Sequence, residues 1–95
     1  MREVAEPKAH VFFRLSIITH HVGEVNADIW RIHRIPAEAK AHKANLRISL
    51  ADLFTQLSIL CIELGLDEKE LKDFGLQRYK EKGIEFKERG WVEVC

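Results

Sequence analysis

Apolar residues recur at steps of four and three along two stretches of this chain. The first set is Val11, Leu15, Ile18, Val22, Val25, Ile29 and Ile32; the second is Leu46, Leu50, Leu53, Leu57, Leu60 and Leu64. That period puts each set on one helix face, ready to lie lengthwise against another helix. Pro7 suits a first helical turn, and the pattern predicts a helix over 8–33. Pro36 breaks it, and Ile35 before the proline is biased away from helical geometry. A second helix follows over 37–65, closed by Gly65. Its alanine- and charge-rich start, AEAKAHKANLR, reads equally as a separate short helix before a long one from Asn45. Asp67 with Glu70 three residues on has capping-box spacing and opens a third helix over 67–82, weakened by Gly75 and Gly83. The remaining 83–95 form a C-terminal extension, where Trp91, Val92 and Val94 allow a short strand, a helical end or an extended tail.

These elements predict an all-α fold in one domain: a long antiparallel helical hairpin and a shorter third helix. Phe13, Ile17, Ile48, Phe54, Ile59 and Ile62 lie off both seams and should stay exposed on a single copy. Exposed apolar patches mark association. A homodimer completing a four-helix-bundle core, or a tetramer built from it, is therefore expected. Gly23 inside the first helix is read as a close helix contact, with room for a ligand beside Glu24 as the alternative.

Polar stripes run beside the seams. His21, Glu24 and Asp28 share one helix face; Asn45, Ser49, Asp52 and Gln56 share another. Acids next to a seam cost desolvation energy unless something pairs with them. If the stripes face each other, Glu24 and Asp52 offer hard oxygen ligands suited to Mg2+ or Mn2+. An imidazole at His21 tilts the preference toward Mn2+, Zn2+ or another transition metal. The plainer alternative pairs these acids with Arg14, Arg31 or Arg47. Likewise Arg78, Lys80 and Lys82 alternate with Glu81 and Glu85, which reads first as a solvated face.

Composition narrows the class. Fifteen basic and fifteen acidic residues give a net charge of zero, which argues against a nucleic-acid binder. Cys61 and Cys95 have neither zinc-site spacing nor the number for a disulfide framework, so a reducing, cytoplasmic setting is expected. The start MREVAEPKAH has no apolar segment of a signal peptide. No membrane span is expected, because Ser49, Asp52, Gln56 and Glu63 interrupt 46–66.

The segments LSIITHHVGEVNAD and ISLADLFTQLSILCIELGLD resemble the MazG-like all-α NTP pyrophosphohydrolases, whose superfamily includes dimeric dUTPases. The similarity covers residues 14–82 and is strongest at Val22-Gly23-Glu24-Val25, Leu50-Ala51-Asp52-Leu53 and Glu63-Leu64-Gly65-Leu66-Asp67. That family carries ExxE on one helix and ExxD on the next. The four acids bind magnesium, which holds a nucleoside triphosphate for cleavage between the α and β phosphates. The resemblance thus implies Glu24, Asp52, His21 and Asp28 around Mg2+ or Mn2+, with His21 and Glu24 serving catalysis. It implies Asn45, Ser49, Gln56, Arg78, Lys80 and Lys82 toward the substrate. The chain departs from the pattern twice: His21 stands where the family has the first acid of ExxE, and Ser49 where it has the glutamate of ExxD. Two carboxylates, an imidazole and a hydroxyl make a weaker site, so metal is expected to bind together with phosphate. A non-catalytic helical oligomer that binds a nucleotide or a protein partner is the alternative reading.

Overall fold

The computed structural model describes residues 3–88, with side chains described over 3–83. The described residues are all helical apart from short connections. Helix α1 spans Ala9–Arg34, a 3-10 turn spans Pro36–Glu38, α2 spans Ala39–Glu63 and α3 spans Glu68–Glu88. Pro7 lies just outside α1, whose first turn closes when Val11 N donates to Lys8 O at 2.9 Å. The alanine-rich stretch is not a separate helix: Ala37 and Glu38 lie in the 3-10 turn and the rest is the first part of α2. Helix α3 runs past 82 through Gly83, so the first part of the expected C-terminal extension is helical. Trp91, Val92, Val94 and Cys95 lie outside the described residues.

The turn between α2 and α3 follows from Gly65. Its φ of 69° is left-handed. Gly65 N donates to Ile62 O at 3.1 Å and Leu66 N to Cys61 O at 2.9 Å, the two bonds of a Schellman cap. A Cβ at Gly65 would meet Ala5 Cβ at an ordinary 3.7 Å, so the penalty for a side chain there is conformational. Gly65→Ala is expected to cost about 1 kcal/mol, seen as a melting temperature lower by roughly 4–8 °C. Asp67 then starts α3: its Oδ1 accepts from Glu70 N at 3.1 Å. Ser58 Oγ donates to Glu68 Oε1 at 2.6 Å and ties α2 to α3. That bond, helped by Lys72, holds the Glu68 carboxyl below its ordinary value.

Helices α1 and α2 lie antiparallel against each other, while α3 touches the end of α2 and, among the described residues, makes no contact with α1. Polar side chains fasten the open end of the hairpin. Arg14 Nε donates to Glu63 Oε1 at 2.8 Å, and Arg14 Nη1 to Gln56 Oε1 at 2.7 Å. His10 Nε2 lies 3.1 Å from the other oxygen of Glu63.

The seams are only half used. Ile18, Val25 and Ile32 are partly buried, but Leu15, Val22 and Ile29 are exposed, as are Leu50 and Leu57 on α2. Val11, at 4% exposure, is the one buried apolar side chain among the described residues. Phe13, Ile48, Phe54 and Ile62 stay exposed as expected, Ile62 at 76%. Ile17 and Ile59 do not; both are half-buried. By length and composition the segment Pro36–Glu63 is also long and apolar enough to cross a membrane, contrary to the sequence expectation. The core helix of a soluble protein meets the same criterion but is mostly buried, whereas the apolar window of this segment is 6% buried.

Candidate functional site

One groove of about 610 Å³ lies between the polar stripes of α1 and α2, on the side of the 3-10 turn. Glu24, Asp28, Asn45 and Ser49 all line it, joined by His20 and Arg31. They meet because the helices are antiparallel: each step toward the turn on α1 faces a step back toward the turn on α2. Ser49 is buried, and its Oγ donates to Glu24 Oε2 at 3.4 Å across the hairpin. His20 Nε2 sits 2.8 Å from Glu24 Oε1, one turn earlier on α1. Asp28 is 4% exposed, and Arg31 Nη1 donates to its Oδ1 at 3.3 Å.

A carboxylate this deeply buried normally needs several strong partners. Asp28 has a single long bond, from an arginine whose own side chain is half exposed. Two carboxylates face one guanidinium in the groove, with the His20 imidazole beside Glu24. Gly23 forms part of its wall, and a Cβ there would meet nothing within 4 Å. The expected close helix contact is therefore not what Gly23 provides; open space is. Gly23→Ala is expected to raise stability by up to about 1 kcal/mol, measured by chemical denaturation.

Several expected site residues fall elsewhere. Asp52 is exposed, lies outside the groove and makes no hydrogen bond or ion pair among the described residues. It stands one turn past Ser49, beyond the groove's end. Gln56 is a turn further still, and Arg14 occupies its side-chain oxygen. His21 does not line the groove; its Nδ1 is buried without a hydrogen bond, 3.8 Å from Glu24 Oε2. Arg78 and Lys82 line a separate shallow pocket with Phe74 and Glu81 on α3. Lys80 is exposed on the same helix, and among the described residues α3 does not reach α1.

His20 was missed as a groove residue from sequence, and Arg31, expected as a partner for Glu24 or Asp52, pairs with Asp28 instead; each had a signal. His20 stands four residues before Glu24, and Arg31 three after Asp28, both within reach on a helix. Among the described residues no group of three or more His, Cys, Asp or Glu is arranged to hold a metal ion. The oxygen donors present are two carboxylates, one amide and one hydroxyl. That set suits magnesium arriving with phosphate oxygens, which usually keeps only one or two protein carboxylates. Compared with protein-family models, with curated proteins and with solved structures, the chain finds no match.

Proposed function

We propose that this chain is a divergent MazG-like nucleotide pyrophosphohydrolase acting in the cytoplasm. It would split a nucleoside triphosphate into monophosphate and pyrophosphate as a homo-oligomer with a four-helix-bundle core. The observation that carries this reading is the convergence of Glu24 and Asp28 with Asn45 and Ser49 in one groove. The site would take Mg2+ or Mn2+ with the substrate, held by Glu24 and Asp28. When bound, that ion would polarise the phosphate under attack and acidify a water. The chain's own groups do the rest. His20 and Ser49 hold the Glu24 carboxylate in place from opposite sides. Asn45 offers an amide at the mouth, and Arg31 presents a half-exposed guanidinium to a phosphate oxygen. Gly23 leaves the wall beside Glu24 open.

A second reading has its own support. With Asp52 outside the groove, two carboxylates remain where the family has four. The groove then suits binding of a nucleotide without turnover, on a helical oligomer that serves as a scaffold. One assay separates the two: pyrophosphate release from a panel of NTPs and dNTPs with Mg2+ and with Mn2+. Release from at least one substrate supports the hydrolase. No release, with a thermal shift produced by metal and nucleotide together, supports the binding scaffold. Neither effect would contradict both.

A further inference from the structure

The hairpin has two unlike faces. One carries the groove. The other carries Leu15, Val22 and Ile29 from α1, and Leu50, Phe54, Leu57 and Cys61 from α2. On α1 these positions recur every seven residues; on α2 they follow steps of four and three. They sit roughly a quarter turn from the line where the two helices touch. Antiparallel right-handed helices turn in opposite senses when viewed from one end, so both stripes come out on the same side. His20, Ala27 and Ile48, which line the groove, come out on the other.

The apolar face is continuous. Its neighbours Thr19, Asn26 and Leu53 carry no charge, while Arg47, three residues before Leu50, borders it toward the turn. At one end it runs into a cavity of about 220 Å³ between α2 and α3, walled by Phe54, Leu57, Cys61 and Leu71 together with the ion pair Glu68–Lys72. A buried aromatic ring covers about 150–250 Å², so Phe54 alone, 61% exposed, leaves roughly 100 Å² or more in water. The seven side chains together expose roughly 500 Å², near the upper end for a monomer's largest patch. A stable interface buries roughly 800 Å² per partner, of which this patch would supply the apolar centre.

We infer that a second copy of this chain covers this apolar face, so that two hairpins form the four-helix core and each groove opens outward, complete within its own protomer. Self-pairing fits the surface: a heptad seam on two antiparallel helices is complementary to its own copy rotated by a two-fold axis. The elbow cavity lies where the copy's helices pass and would accept an apolar side chain from it. This inference rests on the oligomer proposed above and adds the face on which it forms.

Sedimentation of the full chain tests it, up to about 100 µM, well above a micromolar Kd. The wild type is expected at twice its 11.1 kDa mass. The pair Val22→Ser with Leu57→Ser is expected to weaken association at least about tenfold. The pair Phe13→Ser with Ile48→Ser, off that face, is expected to leave it within a factor of about three. A monomeric wild type overturns the oligomer and the face together. A dimer weakened by the second pair but not by the first overturns the face alone. If the first pair does not fold, the wild-type melting temperature decides. A midpoint that rises with protein concentration supports the inference, and one independent of concentration overturns it.

Discussion

Glu24→Gln is expected to reduce pyrophosphate release about 100-fold or more while the chain stays folded. Loss of an outer-shell partner of a metal ligand alone typically costs about 10–100-fold. Glu24 is proposed as a ligand itself, so its loss should cost at least as much. The substitution keeps the side chain's size and its capacity to accept from Ser49 Oγ, which lies 3.4 Å away. It removes the charge that a dication needs. Asp28→Asn should show a similar loss, because this carboxylate, 4% exposed, has only Arg31 to offset it. Asp52→Asn should do little, since Asp52 is exposed and outside the groove. Steady-state kinetics of the three variants, with circular dichroism to confirm folding, distinguishes them. Equal losses for all three would contradict the assignment of the groove.

Glu63→Ala is expected to destabilise the chain by about 2 kcal/mol, lowering the melting temperature by roughly 8–16 °C. Glu63 accepts from Arg14 Nε at 2.8 Å with one oxygen and lies 3.1 Å from His10 Nε2 with the other. Its side chain is nearly buried, at 12% exposure. Removing it strands a guanidinium that is itself only a quarter exposed. Arg14 is not fully buried, so the effect falls below the roughly 3–5 kcal/mol of a pair broken in a dry interior. Gln56 would still accept from Arg14 Nη1 and retain part of the tie. Calorimetry on wild type and variant gives the answer, and a change under about 2 °C would show that the network does not fasten the hairpin.

The contrast between these two residues shows what the sequence made legible. Pro36, Gly65 and Asp67 act through their own backbones, so the helix limits near them could be read from the chain alone. The convergence of Glu24 and Asp28 with Asn45 and Ser49 was legible for a similar reason: spacing fixes a helix face, and an antiparallel hairpin aligns two faces. The rotation of each helix was not legible. A heptad seam states that a face is apolar, but not whether it meets the hairpin partner or a second copy; Leu15, Val22 and Ile29 turn out to be exposed while Ile18 and Val25 are not.

Long side chains made further differences. Arg14 reaches across to Gln56 and withdraws it from the stripe it shares with Ser49. The direction of α3 depends on the left-handed turn at Gly65 and the clasp from Ser58 to Glu68. No residue spacing encodes that angle; the one sequence signal that Arg78, Lys80 and Lys82 stand away from the groove was their alternation with Glu81 and Glu85. The resemblance to MazG-like enzymes aligned Asp52 with a metal-binding acid. The groove is lined instead by Asp28, a turn beyond Glu24 on the same helix.

The account stands on a dication and a phosphate sharing the groove between α1 and α2. Paramagnetic broadening of the backbone amide resonances by Mn2+, with a non-hydrolysable nucleoside triphosphate present, tests this most directly. The expected result is broadening centred on Gly23, Glu24 and Asp28 and, across the hairpin, on Asn45 and Ser49, with both components required. Broadening centred on Arg78 and Lys82, or none at any residue, would contradict it.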